Sequence, residues 1–394
     1  MTVRCEVGNG WDVNDEWHQH LVWHQPPYAL SVHLLDADDR IQNIAVISTR
    51  GSFKAFQERI KSTTARLARE WRDGVHRGDW DHDPDDILYA KVSLDRSGLW
   101  NHRRAYLRDK LYAERWAVGA SNASLEDLVE GRGLGTVDWL PPEPDGSCLA
   151  DPFPWNGRLL CEQMPLDGGK GRIVTVDPGC FPTVRPVLDN AHHHSYPSLY
   201  QEEGKTYFLP EDTERGATTL YRLCDDRSVK AISTIGPGRR LGDPTLFMAN
   251  GVYWIACTDL DVGLHDNLCL LWADTIRGPW WPHKLWPVRI DIRGARSAGP
   301  VFRIDGQLHR PGQDCAETYG AGIVIHRVEH LSKEAYRERV IRVLRPDRTG
   351  PCPDGLHTLS HDGERCWVDG KRFVTGPRLM ATRALRRLGF GGEQ

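Results

Sequence analysis

"ADPFPWNGRLLCEQ" (150–163) and "GDPTLFMANGVYWIACTD" (242–259) share one plan: Asp-Pro, a short apolar run with a Phe, a turn glycine, then a second apolar run. "SYPSLYQEEGKTYFLPED" (195–212), "AGPVFRIDGQLHRPGQD" (298–314) and, more loosely, "GLHTLSHDGERCWVDG" (355–370) repeat it. Pro152, Pro197, Pro244 and Pro300 open four of the copies at intervals of 45, 47 and 56 residues, the period of a four-stranded propeller blade. Proline suits the first residue of an inner strand, where no ladder donor is needed. "TTLYRLCDD" (218–226) and "NLCLLWADTIRGPW" (267–280) read as the further strands of two blades. Five units of four strands predict a mainly β chain built as a five-bladed β-propeller, which protects its sheet edges by radial repetition.

Around that core the chain divides into 1–111, 112–375 and 376–394. The first segment holds an expected strand, "NIAVIS" (43–48), and an expected helix (52–74) with Phe53, Phe56, Ile60, Leu67 and Trp71 at helical spacing and Gly74 as its stop. It reads as an α/β or helical extension, with a second helix expected over 103–116. The basic stretch 378–392, "RLMATRALRRLGFGG", reads as a tail or a short helix.

Composition limits the function. The chain has 394 residues, 40% of them hydrophobic, and a net charge of −4, enough for a real core and without a field that favours nucleic acid or acidic membranes. A basic leader followed by an apolar run is missing from the first residues, so a cytoplasmic protein with neither a nucleic-acid nor a membrane partner is expected. Ten cysteines are scattered without a CxxC pair, which speaks against a zinc ribbon and for small buried hydrophobes. His18, His20 and His24, and His192, His193 and His194, lack the i, i+4 spacing of a zincin helix, so no metal and no cofactor are expected. Fifteen tryptophans suit both a β core and the flat platforms that sugars bind.

Because the first strand of each blade starts beside the central funnel, Asp151 and Asp243 are expected to face one cleft, the arrangement glycosidic chemistry needs. Asp before Pro also makes a plain tight turn. Glu162, Glu211, Asp212, Asp259 and Asp314 fall near the ends of second strands, and His194 and His357 precede or open the second and fifth copies. Arg296 and Arg310, with Gln313 and Asp314, are candidates for holding an anionic group such as a sugar phosphate through bidentate donors; an inter-blade ion pair is the alternative for each arginine. Trp155 is a candidate sugar platform.

The ordered motifs "ADPF", "GKGRI", "SYPSLY", "GKTYFLPE", "GDPTLF", "GPWWPH", "ARSAGPVF", "RPGQDC" and "YGAGI" resemble the N-terminal propeller-like domain of the plant glucosamine inositolphosphorylceramide transferases and their bacterial stand-alone homologues, over roughly residues 112–372. More distantly, the Asp-Pro openings resemble the furanosidase-type propellers of glycoside hydrolase families 43 and 32. That second resemblance implies Asp151 as general base and Asp243 as the aspartate that tunes its neighbours, while the "E-G-P" glutamate that supplies the family's acid falls on "ARSAGPVF", where Ser297 and Ala298 stand. Glu211, which has a counterpart in the resembling transferase domain, is then the expected acid. The function these readings imply is cleavage or transfer of a glycosyl group from a sugar derivative, with phosphorylated or nucleotide-activated sugars included. The alternative is a non-catalytic carbohydrate-binding module that assists a separate glycosyltransferase, and a protein-interaction scaffold is a third reading.

Overall fold

The computed structural model describes residues 4–7, 11–12, 29–35, 41–73, 111–165, 169–179, 183–188, 192–225 and 228–376, with isolated positions before residue 29. The His18/His20/His24 cluster, the expected helix stop at Gly74, the stretch 103–110 and the basic segment 378–392 lie outside them. In the N-terminal segment, β1 (Arg4–Val7), β2 (Trp11–Asp12), β3 (Ala29–Leu35) and β4 (Ile41–Ser48) form a sheet in the order β2-β1-β3-β4. The helix α1 (Phe53–Arg72) follows. Ser52 caps it, accepting from the Ala55 amide at 3.2 Å, and Phe56, Ile60 and Leu67 recur on one face. That face packs on Leu30, Val32, Leu34, Ala45 and Ile47 of the sheet, and the same apolar cluster takes in Ile290 of the propeller, so the extension is an α/β layer whose core continues onto the propeller.

The remaining strands make five blades. β5 (Ala113–Ser121), the short helix α2 (Leu125–Glu130) and β6 (Val137–Trp139) come first. Blade one is β7 (Cys148–Trp155), β8 (Arg158–Met164), β9 (Arg172–Asp177) and β10 (Thr183–Leu188); blade two is β11 (Ser195–Glu202), β12 (Lys205–Glu211), β13 (Thr218–Leu223) and β14 (Val229–Ile235). Blade three holds β15 (Leu241–Ala249), β16 (Val252–Asp259), β17 (Asn267–Ala273) and β18 (Trp281–Pro282), with β19 (Arg289–Ile290) also paired to β17. Blade four is β20 (Phe302–Ile304), β21 (Gln307–Asp314), β22 (Gly322–Leu331) and β23 (Tyr336–Leu344). Blade five joins the two ends of the ring: β24 (Gly355–His361) and β25 (Cys366–Val374) are completed by β5 and β6.

That closure corrects the expected helix over 103–116. From Ala113 onward the chain is β5, paired antiparallel with β25 through nine residue pairs from Ala113↔Val374 to Ser121↔Cys366. Pairing to a strand some 250 residues away overrides a local composition that suits a helix. Five apolar clusters, one per blade interface, close the ring: Trp155 and Phe208 between blades one and two, Leu209 and Leu246 between two and three, Trp254 and Leu308 between three and four, Ile323 and Leu359 between four and five, and Trp367 and Leu149 between five and one.

Two devices recur from blade to blade. Asn156-Gly157, Glu203-Gly204, Asn250-Gly251 and Asp305-Gly306 all have positive φ, the backbone of the two-residue hairpin turn, which explains the glycine in the first four copies. At the other end of the first hairpin the ladder slips at Asp151-Pro152, Tyr196-Pro197, Asp243-Pro244 and His357-Thr358. Such bulges re-aim a side chain where regular pleating would turn it away. Asp151, Tyr196 and Asp243 sit there at φ of 52°, 46° and 44°, a conformation that costs roughly 1–3 kcal/mol each for residues other than glycine.

Candidate active site

The bulges bring Asp151, Tyr196, Asp243 and His357 to one mouth of the propeller, each less than 5% exposed. Blade four offers Gly299 at the same place, ahead of Pro300; its amide donates to the Tyr196 hydroxyl at 2.7 Å, and that hydroxyl also bonds Thr245 at 2.8 Å. Gly299 has φ 128°, and a Cβ there would overlap the Leu359 carbonyl oxygen, so a side chain is excluded. Neighbouring blades are stitched through the bulge amides. Asp151 accepts from the Tyr196 amide at 3.0 Å, Glu211 from the Asp243 amide at 2.8 Å, and Asp369 from the Asp151 amide at 2.8 Å.

Three carboxylates in this ring are held in different states. Asp243 takes Arg296 bidentately, Nε to Oδ2 at 2.6 Å and Nη2 to Oδ1 at 3.0 Å, and Gln313 Nε2 at 2.6 Å. Burial opposes its ionisation, but the Arg296 charge and hydrogen bonds hold its pKa below the usual carboxylate value. Glu211 is pushed the other way, up to about 8, by burial and by the neighbouring Asp243 charge, with Arg296 opposing. Asp151 lies between them at about 6, raised by burial and lowered by His357. Its Oδ1 accepts from the Thr358 hydroxyl at 2.7 Å, and with the Tyr196 amide this leaves acceptor capacity on the carboxylate.

His357 stands 2.9 Å by Nδ1 from Asp369 and 3.4 Å from Asp151, while Tyr319 meets its Nε2 at 2.5 Å. Burial works against its charge, yet the Asp369 and Asp151 carboxylates bring its pKa up to about 9, so it is an imidazolium at neutral pH. Asp151, His357 and Asp369 are also the described residues whose donor atoms could hold a metal ion, lying within 4.8 Å of one another. In this arrangement His357 Nδ1 bonds Asp369 at 2.9 Å and its positive charge stands 3.4 Å from Asp151. The Tyr319 ring lies under Arg296, 5.4 Å from its guanidinium, and beside His265 and His357.

The placement of the other expected residues differs. Arg296 does not offer its donors to a ligand anion: Asp243, Glu211, the Leu264 carbonyl and His265 take them up. Arg310 is 2% exposed and lies away from the ring, bound to Glu338 at 2.8 and 2.7 Å and to the Gly294 and Ala295 carbonyls. Arg296 thus sits in an inter-blade ion pair with Asp243 and Glu211, whereas Arg310 pairs with Glu338 inside blade four, between β21 and β23. Gln313 is at the ring as a support for Asp243, donating also to the Ser297 carbonyl at 2.7 Å. Asp314 pairs with Arg345 at 2.6 Å instead of facing the mouth. Trp155 closes β7 at its hairpin turn, at the far end of the strand from Asp151, and fills the core between blades one and two. His194 is buried at the mouth, 3.4 Å from Asp212. Tyr196, Thr358, Asp369 and Tyr319 were missed. Tyr196 and Thr358 stand in repeat positions that align with Asp151-Pro152, and that alignment was the available signal.

Residues 169–349 match the family Glucosamine inositolphosphorylceramide transferase 1, N-terminal. The resemblance carried by the ordered motifs is therefore real. Glucosamine inositolphosphorylceramide transferase 1 of Arabidopsis thaliana is 34% identical over 205 residues, covering 48% of this chain and 26% of that protein. The protein of the same name from Oryza sativa subsp. indica is 34% identical over 254 residues, covering 57% of this chain and 34% of that protein. The chain thus spans a quarter to a third of the length of these relatives. Among solved structures, an exo-β-1,3-galactanase from Clostridium thermocellum aligns with a TM-score of 0.42 at 13% identity, over 52% of this chain and 53% of that one. An exo-β-1,3-galactanase from Phanerochaete chrysosporium aligns with a TM-score of 0.41 at 13% identity, over 54% and 58%. No helix among the described residues is long and apolar enough to cross a membrane.

Proposed function

We propose that the mouth ringed by Asp151, Tyr196, Asp243 and His357 binds a sugar derivative, and that the protein cleaves or transfers a glycosyl group there. The observation that carries this reading is the buried trio of Asp151, Asp243 and Glu211, drawn from three blades to one end of the ring and held in unlike protonation states. Environments that push neighbouring carboxyl groups apart assign acid and base roles. Glu211 keeps its proton at neutral pH and serves as acid. Asp151 is ionised, retains free acceptor capacity and serves as base or nucleophile. Burial raises the Glu211 pKa, and Asp243, fixed by Arg296 and Gln313, adds a negative charge that favours the same proton. The match to an N-terminal transferase family supports sugar chemistry of this kind. Since Arg296 and Arg310 are already paired, a neutral glycosyl unit fits the mouth better than a phosphate.

A second reading, a binding module that serves a separate glycosyltransferase, is favoured by one observation: Ala298, where a family-43 acid would stand, is fully buried among Leu356, Leu359 and Ile323. Incubation with a panel of nitrophenyl furanosides and pyranosides separates the two. Turnover abolished by Asp151→Asn supports the enzyme, sugar binding without turnover supports the module, and turnover indifferent to Asp151→Asn overturns the assignment of the base.

A further inference from the structure

Glu162 and Glu211 hold equivalent places on the second strands of blades one and two, opposite Ala150 and Ser195, the residues just before the bulges. Glu211 has partners there, the Asp243 amide of the next blade and Arg296. The amide that would serve Glu162 in the same way, that of Tyr196, is given to Asp151 instead. Glu162 Oε1 is consequently buried without a hydrogen bond. Next to it in blade two, His194 is 1% exposed with neither ring nitrogen hydrogen-bonded, and Asp212, 4% exposed, leaves Oδ1 unsatisfied. His193 Nε2 stands 3.9 Å from Glu162 Oε1, and Asp212 Oδ2 stands 3.4 Å from His194, so the groups form a contiguous patch without satisfying one another. Gly171 lies against it, where any Cβ would overlap the Glu162 carboxylate.

Four unsatisfied buried polar atoms at the junction of two blades depart sharply from the rule that buried polar groups are bonded. They point to a ligand that both donates and accepts. Burial draws His194 toward its neutral form, and burial with the Asp151 charge raises the Glu162 pKa well above the ordinary carboxyl value. Asp212 already has the Arg215 guanidinium 3.4 Å from its Oδ2, so an anion would face the Asp212 and Glu162 carboxyl oxygens with that cation engaged, whereas hydroxyls can donate to carboxyl oxygens and both donate to and accept from an imidazole.

We propose that Glu162, His194 and Asp212 form a subsite that hydrogen-bonds the hydroxyls of a neutral sugar ring held beside Asp151. The inference rests on the reading of this mouth as a sugar site. It is tested by calorimetry on the full chain with methyl β-D-glucopyranoside, methyl β-D-galactopyranoside and methyl α-L-arabinofuranoside, followed by the monodeoxy analogues of whichever binds. Glu162→Ala and His194→Ala are expected to weaken binding by on the order of tenfold each. That loss should disappear for one monodeoxy analogue, a coincidence that a purely structural role would not produce. Glu162→Gln, which meets no existing bond at Oε1, is expected to keep the wild-type Tm and is the variant to read if His194→Ala unfolds. Wild-type binding that all three variants leave within twofold overturns the subsite and leaves the Asp151 reading standing. Tighter binding of methyl β-D-glucosaminide than of the neutral glycosides overturns the neutral-hydroxyl assignment. Failure of the wild type to bind any of these sugars overturns both readings.

Discussion

Arg296 grips both oxygens of Asp243, with Nε at 2.6 Å from Oδ2 and Nη2 at 3.0 Å from Oδ1, and the same Nη2 reaches Glu211 at 3.1 Å. One cation from blade four thereby compensates two buried carboxyl groups from blades two and three. Removing one partner of a buried ion pair leaves an uncompensated charge and typically costs about 3–5 kcal/mol. Arg296→Ala is therefore expected to lower stability by that order, measured by chemical denaturation. Arg296→Lys should recover little, because an ammonium cannot reproduce the two parallel bonds. A variant as stable as wild type but weaker for sugar phosphates would restore the anion-binding role for Arg296.

The proposed roles of Asp151 and Glu211 imply a pH profile for glycoside turnover. Asp151 must be ionised to act as base, so kcat/KM should fall as pH drops below about 6. Glu211 must be protonated to act as acid, so kcat/KM should also fall as pH rises above about 8. Glu211→Gln should remove most turnover, while at pH 7 it should change stability by only about 1 kcal/mol or less, since the amide imitates the neutral acid it replaces. Retention of the alkaline limb in Glu211→Gln would show that another group supplies it.

What could be read from the chain alone, and what could not, follows from the range of the interactions involved. The blade openings at Pro152, Pro197, Pro244 and Pro300, and the turn glycines after Asn156 and Asn250, are local devices repeated at a fixed period, and repetition exposes them. Asp151 and Asp243 were legible for the same reason. Blade five was half hidden, because β5 lies some 250 residues before the β25 strand it pairs with. Nothing near Ala113 records that partner. Arg296 and Arg310 stayed open between a ligand and an ion pair on the same grounds: a buried arginine looks alike in sequence whether it awaits a ligand or pairs with Glu211, 85 residues away, and Glu338, 28 residues away.

His357 and Glu211 make stability depend on pH with a definite sign. The folded pKa of His357 is about 9 against an ordinary 6.5, so its contribution is complete below pH 6.5 and is lost as pH rises through 9. Glu211 holds its proton up to about 8 in the folded state against an ordinary 4.5, so between those values the folded protein binds the extra proton and raising the pH again weakens it. The unfolding free energy should decline from pH 5 to pH 9. His357→Gln should flatten the upper part of that decline, and by removing a positive charge beside Asp151 it should move the acid limb of the activity profile above 6. A slope unchanged in His357→Gln would assign the titration to other groups.

Ala298 tests whether the glutamate that the resemblance to family-43 propellers implies at this position can simply be introduced. Its side chain is fully buried among Ile323, Leu356, Leu359 and Val368, and its backbone is pinned on both sides, the amide to the Pro311 carbonyl at 3.1 Å and the carbonyl to the Leu359 amide at 2.8 Å. Backbone movement to aim a longer side chain at the mouth would break those bonds, and Gly299 beside it cannot accept a Cβ. A carboxyl group at 298 would thus enter the apolar core between blades four and five. Burying a polar group there without a partner costs roughly 1–3 kcal/mol by protein mutational data, and more for the charged form. Ala298→Glu is accordingly expected to lower Tm and to leave glycoside turnover no higher than wild type, with Ala298→Gln equally destabilising. A stable Ala298→Glu protein with increased turnover would place position 298 on the mouth and transfer the acid role from Glu211 to blade four.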